Sequence, residues 1–217
     1  MQNCSHMVSE IESEMRLTQI YTGRSGLSET VKAALFAVPR HEFVPEDLLD
    51  AAYDNKPLTI GFGQTISQPY IVALMTELLQ LTSDSVVLEV GTGCGYQTAV
   101  VAEIARQVYT IEIVDELSLQ AQTRLQTLGY NNIIAKIGDG RQGWPEHAPF
   151  EAIIVTAAGP EVPPALIAQL KSGGRLVVPV GEPFHSQQLL LIEKDAEGML
   201  SEREILPVSF VPLTGKH

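Results

Sequence analysis

A chain of 217 residues, 45% hydrophobic and 18% charged, has enough apolar side chains for one full core and falls within the size of a single domain. Fourteen Lys and Arg against 26 Asp and Glu give a formal charge of −12, which repels phosphate backbones and argues against nucleic acid as a partner. No run reaches the roughly eighteen apolar residues of a membrane span, and the acidic start is unlike a secretory signal, so a cytoplasmic protein with no membrane partner is expected.

Met1 to Glu14 shows no pattern and is expected to be a disordered lead containing Cys4. Residues 15–84 read as helices and loop. Ser28-Glu29-Thr30 has the form of an N-cap and first turn, followed by Val31, Ala34, Leu35 and Val38 at helical spacing up to Pro39. Residues 52–69 (AYDNKPLTIGFGQTISQP) are rich in Gly, Pro, Thr and Ser and read as a long irregular segment with at most a short strand. A loop of that length in a compact domain is usually functional. Ile71, Leu74, Leu78 and Leu79 then mark a half-buried helix over Pro69 to Leu81.

From residue 85 short apolar runs alternate with helical segments. Val86 to Val90, Val108 to Ile113, Ile133 to Ile137, Ala152 to Val155 and Leu176 to Val180 read as strands buried on both faces. Tyr96 to Arg106, Asp115 to Leu128 and Pro163 to Leu170 read as the helices between them. Such alternation implies a doubly wound, mostly parallel α/β sheet, with a core over 85–181. Within 182–217, Gln187 to Glu193 and Glu204 to Leu213 suggest antiparallel strands that finish it, so residues 1–217 are read as one domain.

The strand ending Leu88-Glu89-Val90 runs into Gly91-Thr92-Gly93-Cys94-Gly95 and a helix. Bare backbone and helix N–H groups there let a ligand approach closely. Tyr96 stands where a dinucleotide fingerprint requires Gly or Ala, which weighs against a nicotinamide cofactor. Seventeen residues beyond Gly95, Glu112 ends the next strand, placed to accept from the two hydroxyls of a ribose. Gly138-Asp139-Gly140 follows the third strand, where Asp139 can accept from an adenine amino group. Each feature alone is as readily an ordinary turn or cap. Three at successive strand ends on the ligand-binding edge of one sheet point to an adenosyl site.

The chain resembles the protein-L-isoaspartate O-methyltransferase family from about Met15 to Thr214. The resemblance is carried by Val38-Pro39-Arg40, Phe43-Val44-Pro45, Gly63-Gln64-Thr65-Ile66-Ser67-Gln68-Pro69, Leu88 to Tyr96, Thr110-Ile111-Glu112, Gly138-Asp139-Gly140, Ala148-Pro149-Phe150, Gly173-Gly174, Pro179-Val180-Gly181 and Phe210-Val211-Pro212-Leu213. The glycine loop is common to many methyltransferases, whereas Thr65 to Pro69 is narrow to this family. The resemblance implies a Rossmann-like methyltransferase fold and S-adenosyl-L-methionine as methyl donor, with S-adenosyl-L-homocysteine as product. It also implies methylation of the free carboxylate of isoaspartyl residues in damaged proteins, the first step of their repair. The cofactor residues it implies are Glu89, Gly91, Thr92, Gly93, Gly95, Glu112, Ile113, Asp139 and Gly140. Thr65, Ile66, Ser67, Val211 and Thr214 would meet the substrate. Other acceptors for the methyl group, and a nicotinamide-dependent reductase, are the competing readings.

A carboxylate acceptor, with a pKa of about 3.5, is already ionised at neutral pH, so no general base is needed. Ser67 is the candidate catalytic residue, aligning the acceptor by a hydrogen bond to one oxygen; its ordinary alternative is to cap the helix that begins near Pro69. Arg40 is read as an exposed residue that pairs with an acid to hold the N-terminal segment, with a contact to substrate as the alternative. Trp144 and Phe150 are read as packing residues. Histidines 6, 41, 147, 185 and 217 are scattered without ligand spacing, so no metal is expected. The absence of an evident exposed apolar stripe suggests a monomer.

Overall fold

The computed structural model describes residues 2–182 and 186–215. Its main sheet has seven strands, β3 (Val86–Val90), β4 (Gln107–Glu112), β5 (Ile133–Ile137), β6 (Phe150–Val155), β7 (Leu170–Val180), β8 (Gln187–Lys194) and β9 (Leu200–Val208). They lie in the order β5-β4-β3-β6-β7-β8-β9. The first five are parallel, and β8 and β9 join antiparallel. This is the doubly wound sheet with antiparallel C-terminal strands that the alternation predicts.

Two-residue periodicity divides each central strand between two apolar clusters. Val87, Ala152, Ile154, Val177, Leu189 and Leu191 face one cluster. Leu88, Val90, Ile153, Val155, Leu176, Val178, Leu190 and Ile192 face the other. The first lies under α1 (Gln2–Thr22), α2 (Glu29–Ala37), α3 (Pro69–Leu79), α4 (Tyr96–Ala102) and α5 (Asp115–Thr127); the second lies under α6 (Pro164–Gln169). The expectation of burial on both faces fails for β5. As an edge strand it leaves Ile134 and Ile137 exposed.

Residues 2–22 form a helix, not the disordered lead expected over Met1 to Glu14. Cys4, Met7, Val8, Ile11 and Met15 share one face and are buried, a helical stripe. Ser9, Glu10, Glu12 and Ser13 around it gave the segment its polar look. Cys4 therefore packs in the core, its Sγ–H donating to the Leu35 carbonyl at 3.6 Å. The opposite face exposes Leu17, Ile20 and Tyr21, which removes the reasoning that led to a monomer.

The 52–69 segment is more ordered than its composition suggests. β1 (Leu58–Gly61) and β2 (Gln64–Ile66) form an antiparallel hairpin. Phe62 and Gly63, with φ of 54° and 71°, make the tight turn, positive φ at both central positions being what a two-residue hairpin requires. A polar residue or glycine is usual at Phe62, so the turn carried no sequence signal. No helix among the described residues is long and apolar enough to cross a membrane.

Candidate active site

The carboxyl ends of β3, β4 and β6 open into a cleft, at the edge where open α/β sheets bind their ligands. Gly91, Thr92, Gly93 and Cys94 form its floor, Glu112 and Ile113 one side, and Gly140 another. Thr65, Ile66 and Ser67 enter from the hairpin, and Val211 to Thr214 from the segment after β9. The cleft thus brings together most of the residues singled out in the sequence.

The glycine loop is shaped by sterics that only glycine tolerates. Gly91 has a φ of 96°, and a Cβ there would lie 2.3 Å from Thr156 Oγ1. Thr156 in turn donates to the Gly91 carbonyl at 2.6 Å. Gly140 accepts no Cβ either, since one would come within 2.2 Å of Val90 Cγ1. Gly95, with a φ of 93°, is the N-cap of α4 and lies behind the cleft wall against Leu125.

Glu112 is held by three backbone amides. Oε2 accepts from Gly93 N–H at 2.8 Å, and Oε1 from Ile113 and Val114 at 2.9 and 3.0 Å. These bonds fix its carboxylate at the cleft wall and leave acceptor capacity for hydroxyls, four lone-pair sites being available against three bonds. Ile113 and Val114 line the cleft beside it.

Two further expected cofactor residues, besides Gly95, sit elsewhere. Glu89, within β3, is completely buried and is not on the cleft surface. Its Oε2 accepts from Thr98 Oγ1 and, at 2.6 Å, from Thr110 Oγ1. Burial pushes its pKa up to about 8, against the donation from Thr110 and Thr98, so it is protonated at neutral pH. Thr110 also bonds Thr92 Oγ1 at 2.6 Å, so Glu89 braces the glycine loop from below. Asp139 is also off the cleft lining. It accepts from Arg141 N–H at 2.9 Å, capping a 3-10 turn, and Gly215 packs against it.

Ser67 lines the cleft, but it is not the helix cap. Gln68 holds the N-cap position of α3, and its side chain makes no capping bond. The Ser67 hydroxyl makes no hydrogen bond among the described residues, while its carbonyl accepts from Arg40 Nη2 at 2.8 Å. Arg40 is buried, not a surface residue, and is bound by carbonyls in place of an acid. Phe150 is buried as expected, and half-buried Trp144 packs edge-on to Tyr109 at 5.5 Å.

Sequence reasoning missed Thr156, Val72 and Gln97, all of which line the cleft. Thr156 had a usable signal: it is the first polar residue after the apolar run of β6, at the same carboxyl edge as Gly91 and Glu112. Val72 and Gln97 lie inside helices and carried none. Among the described residues no group of three or more His, Cys, Asp or Glu is placed to hold a metal ion; His185 and His217 lie outside those residues.

The family model for protein-L-isoaspartate(D-aspartate) O-methyltransferase matches residues 13–217. The chain belongs to this family. A protein-L-isoaspartate O-methyltransferase 2 of Polaromonas sp. is 59% identical over 97% of this chain and 100% of its own length. One from Syntrophobacter fumaroxidans is 56% identical over 97% of this chain and 85% of its own. A solved protein-L-isoaspartate O-methyltransferase superposes with a TM-score of 0.80 at 29% identity, covering 94% of this chain and 66% of that one. The fold is shared as well with a Plasmodium falciparum protein assigned to the family and solved with S-adenosyl-L-homocysteine. That pair gives a TM-score of 0.77 at 23% identity over 96% and 99% of the two chains. Within this family of methyltransferases, the cleft between the glycine loop and the Thr65 to Ser67 hairpin is the candidate active site.

Proposed function

We propose that this chain is a protein-L-isoaspartate O-methyltransferase, using S-adenosyl-L-methionine to methylate the free carboxylate of isoaspartyl residues in damaged proteins. The observation that carries the reading is the meeting, in one cleft, of the glycine loop with Thr65, Ile66 and Ser67, in a chain whose residues 13–217 match the family model. The cleft fits an adenosyl cofactor: glycines at 91 and 140 exclude side chains from its surface, and Glu112 presents an oriented carboxylate. Gly91, Thr92, Gly93, Glu112, Ile113 and Gly140 would hold the cofactor. When bound, its sulfonium supplies an electrophilic methyl group.

The remaining task of the protein is positional. An isoaspartyl carboxylate is ionised at neutral pH and needs no base. Alignment of one oxygen and exclusion of water are worth up to about 7–11 kcal/mol in favourable cases. The Ser67 hydroxyl, unbonded among the described residues, can donate to one carboxylate oxygen, leaving the other as nucleophile. Thr65, Ile66, Val211 and Thr214 form the walls about it, with no metal in the scheme. A second recess continues from this point past Gln68, Tyr70, Ile71 and residues 206–211, sharing Thr65, Ser67, Thr156 and Val211 with the cleft. It provides room for the chain on either side of the isoaspartyl unit. The net charge of −12 argues for protein and peptide substrates over nucleic acid, and the setting proposed is the cytoplasm. Incubation of an isoaspartyl peptide with the protein and S-adenosylmethionine should add one methyl group by mass spectrometry, then lose methanol on standing as the ester closes to a succinimide. A peptide of unchanged mass would refute the reading.

A further inference from the structure

Arg40 is fully buried in the 3-10 turn after Pro39, and no carboxylate of the described residues pairs with it. Burial of an unpaired guanidinium carries a desolvation penalty that an apolar residue of similar volume would avoid. What the guanidinium provides is a rigid planar fork. Nε donates to the Ala52 carbonyl at 2.8 Å and Nη2 to the Ser67 carbonyl, also at 2.8 Å. These carbonyls stand at the two ends of the segment that carries the β1-β2 hairpin. One side chain therefore ties both ends of the acceptor loop.

The same guanidinium faces the Tyr96 ring, 4.7 Å from its centroid. Tyr96 opens α4, directly after the glycine loop, and lines the cleft. Phe43 meets Tyr96 edge-on at 5.5 Å, Arg124 lies 5.8 Å over Phe43, and Arg124 Nη1 donates to the Cys94 carbonyl at 2.9 Å. An unbroken series of contacts thus links Ser67 to the glycine loop, with Arg40 at the junction.

We propose that Arg40 is a positioning residue for methyl transfer: by holding the Ser67 carbonyl while its guanidinium rests on the Tyr96 ring, it sets the direction of the Ser67 hydroxyl relative to the cofactor loop. The proposal rests on Ser67 aligning the acceptor carboxylate. A purely structural Arg40 would instead lower stability and affect both ligands alike.

The test uses full-length protein saturated with S-adenosylmethionine, comparing R40K, R40Q, S67A and R40K/S67A. Lys keeps the charge but cannot span two carbonyls, and Gln removes the buried charge, so the two variants fail to fold for different reasons if at all. R40K and R40Q should lower kcat/KM for an isoaspartyl peptide about ten- to a hundredfold, the scale of a misplacement of about 1 Å. S-adenosylhomocysteine affinity by calorimetry should stay within about twofold. The R40K penalty should vanish in the S67A background, since residues acting as a unit are not additive. Multiplying penalties, a parallel loss of cofactor affinity, wild-type turnover in R40K, or failure of both Arg40 variants to fold would each overturn the proposal. S67A slow with R40K unaffected defeats the Arg40 role alone; S67A with wild-type turnover defeats the reading of Ser67 and this route with it.

Discussion

Glu89 shows how one residue can belong to a binding motif without meeting the ligand. Its carboxyl is enclosed by Thr98 and Thr110 below the glycine loop, and its Oε1 has no hydrogen-bond partner among the described residues. Folding raises its pKa from 4.5 to about 8, so the folded protein keeps a proton that the unfolded chain releases above about pH 4.5. Its contribution to stability is full below that pH, falls as pH rises toward about 8, and is level beyond. Glu89→Gln, neutral and of the same shape, should flatten this slope and raise the melting temperature most at pH 8 and above, with cofactor affinity nearly unchanged. Calorimetric melts from pH 5 to 9 would check it; a variant that keeps the wild-type slope would place the titration elsewhere. The role of Glu89 was not legible because a strand-end acid beside a glycine loop looks alike whether it points into the cleft or beneath it. Glu112 was legible, since it follows the last apolar residues of β4 at the ligand-binding edge.

At the scale of elements, the sequence signal depended on how apolar residues were distributed. The central strands are continuous apolar runs, and β3 and β5 fall at their predicted limits. The α2 cap is also as predicted, Ser28 Oγ accepting from Val31 N–H at 3.3 Å. Helix α1 was hidden because its five core residues are spread among serines and glutamates, so only three-dimensional packing makes the stripe evident. The helix also serves the site. Glu14 accepts from Asn55 Nδ2 at 2.7 Å and from Gln68 Nε2 at 3.2 Å, and Thr18 bonds the Tyr70 hydroxyl at 2.6 Å. Glu14, Thr18, Gln68 and Tyr70 line the second recess; Asn55 joins it by accepting from Tyr70 N–H at 3.0 Å. Ile11→Ala, at a completely buried position, should destabilise the protein by about 2–5 kcal/mol, measured by urea unfolding. A loss below about 0.5 kcal/mol, the range of surface substitutions, would show α1 to be loosely attached.

For the molecule as a whole, the sheet order places the glycine loop, the Glu112 turn and the Gly140 turn on one edge. The hairpin and the segment after β9 reach the same edge from opposite ends of the chain. Residues 65–67 and 211–214 are thus neighbours across a cleft although nearly 150 positions separate them, a proximity that no local pattern encodes and that only the family resemblance suggested. The fold class was readable from periodicity, the cofactor edge from glycines and strand-end acids, and the acceptor side from the Thr65 to Pro69 segment. What periodicity could not supply was depth: which acid faces the cleft, and that Arg40 lies buried beneath it. The most direct test of the whole account is methyl transfer from labelled S-adenosylmethionine to two peptides that differ only in an isoaspartyl or aspartyl linkage. Base-labile label on the isoaspartyl peptide alone is predicted; equal label on both peptides, or on neither, would contradict it.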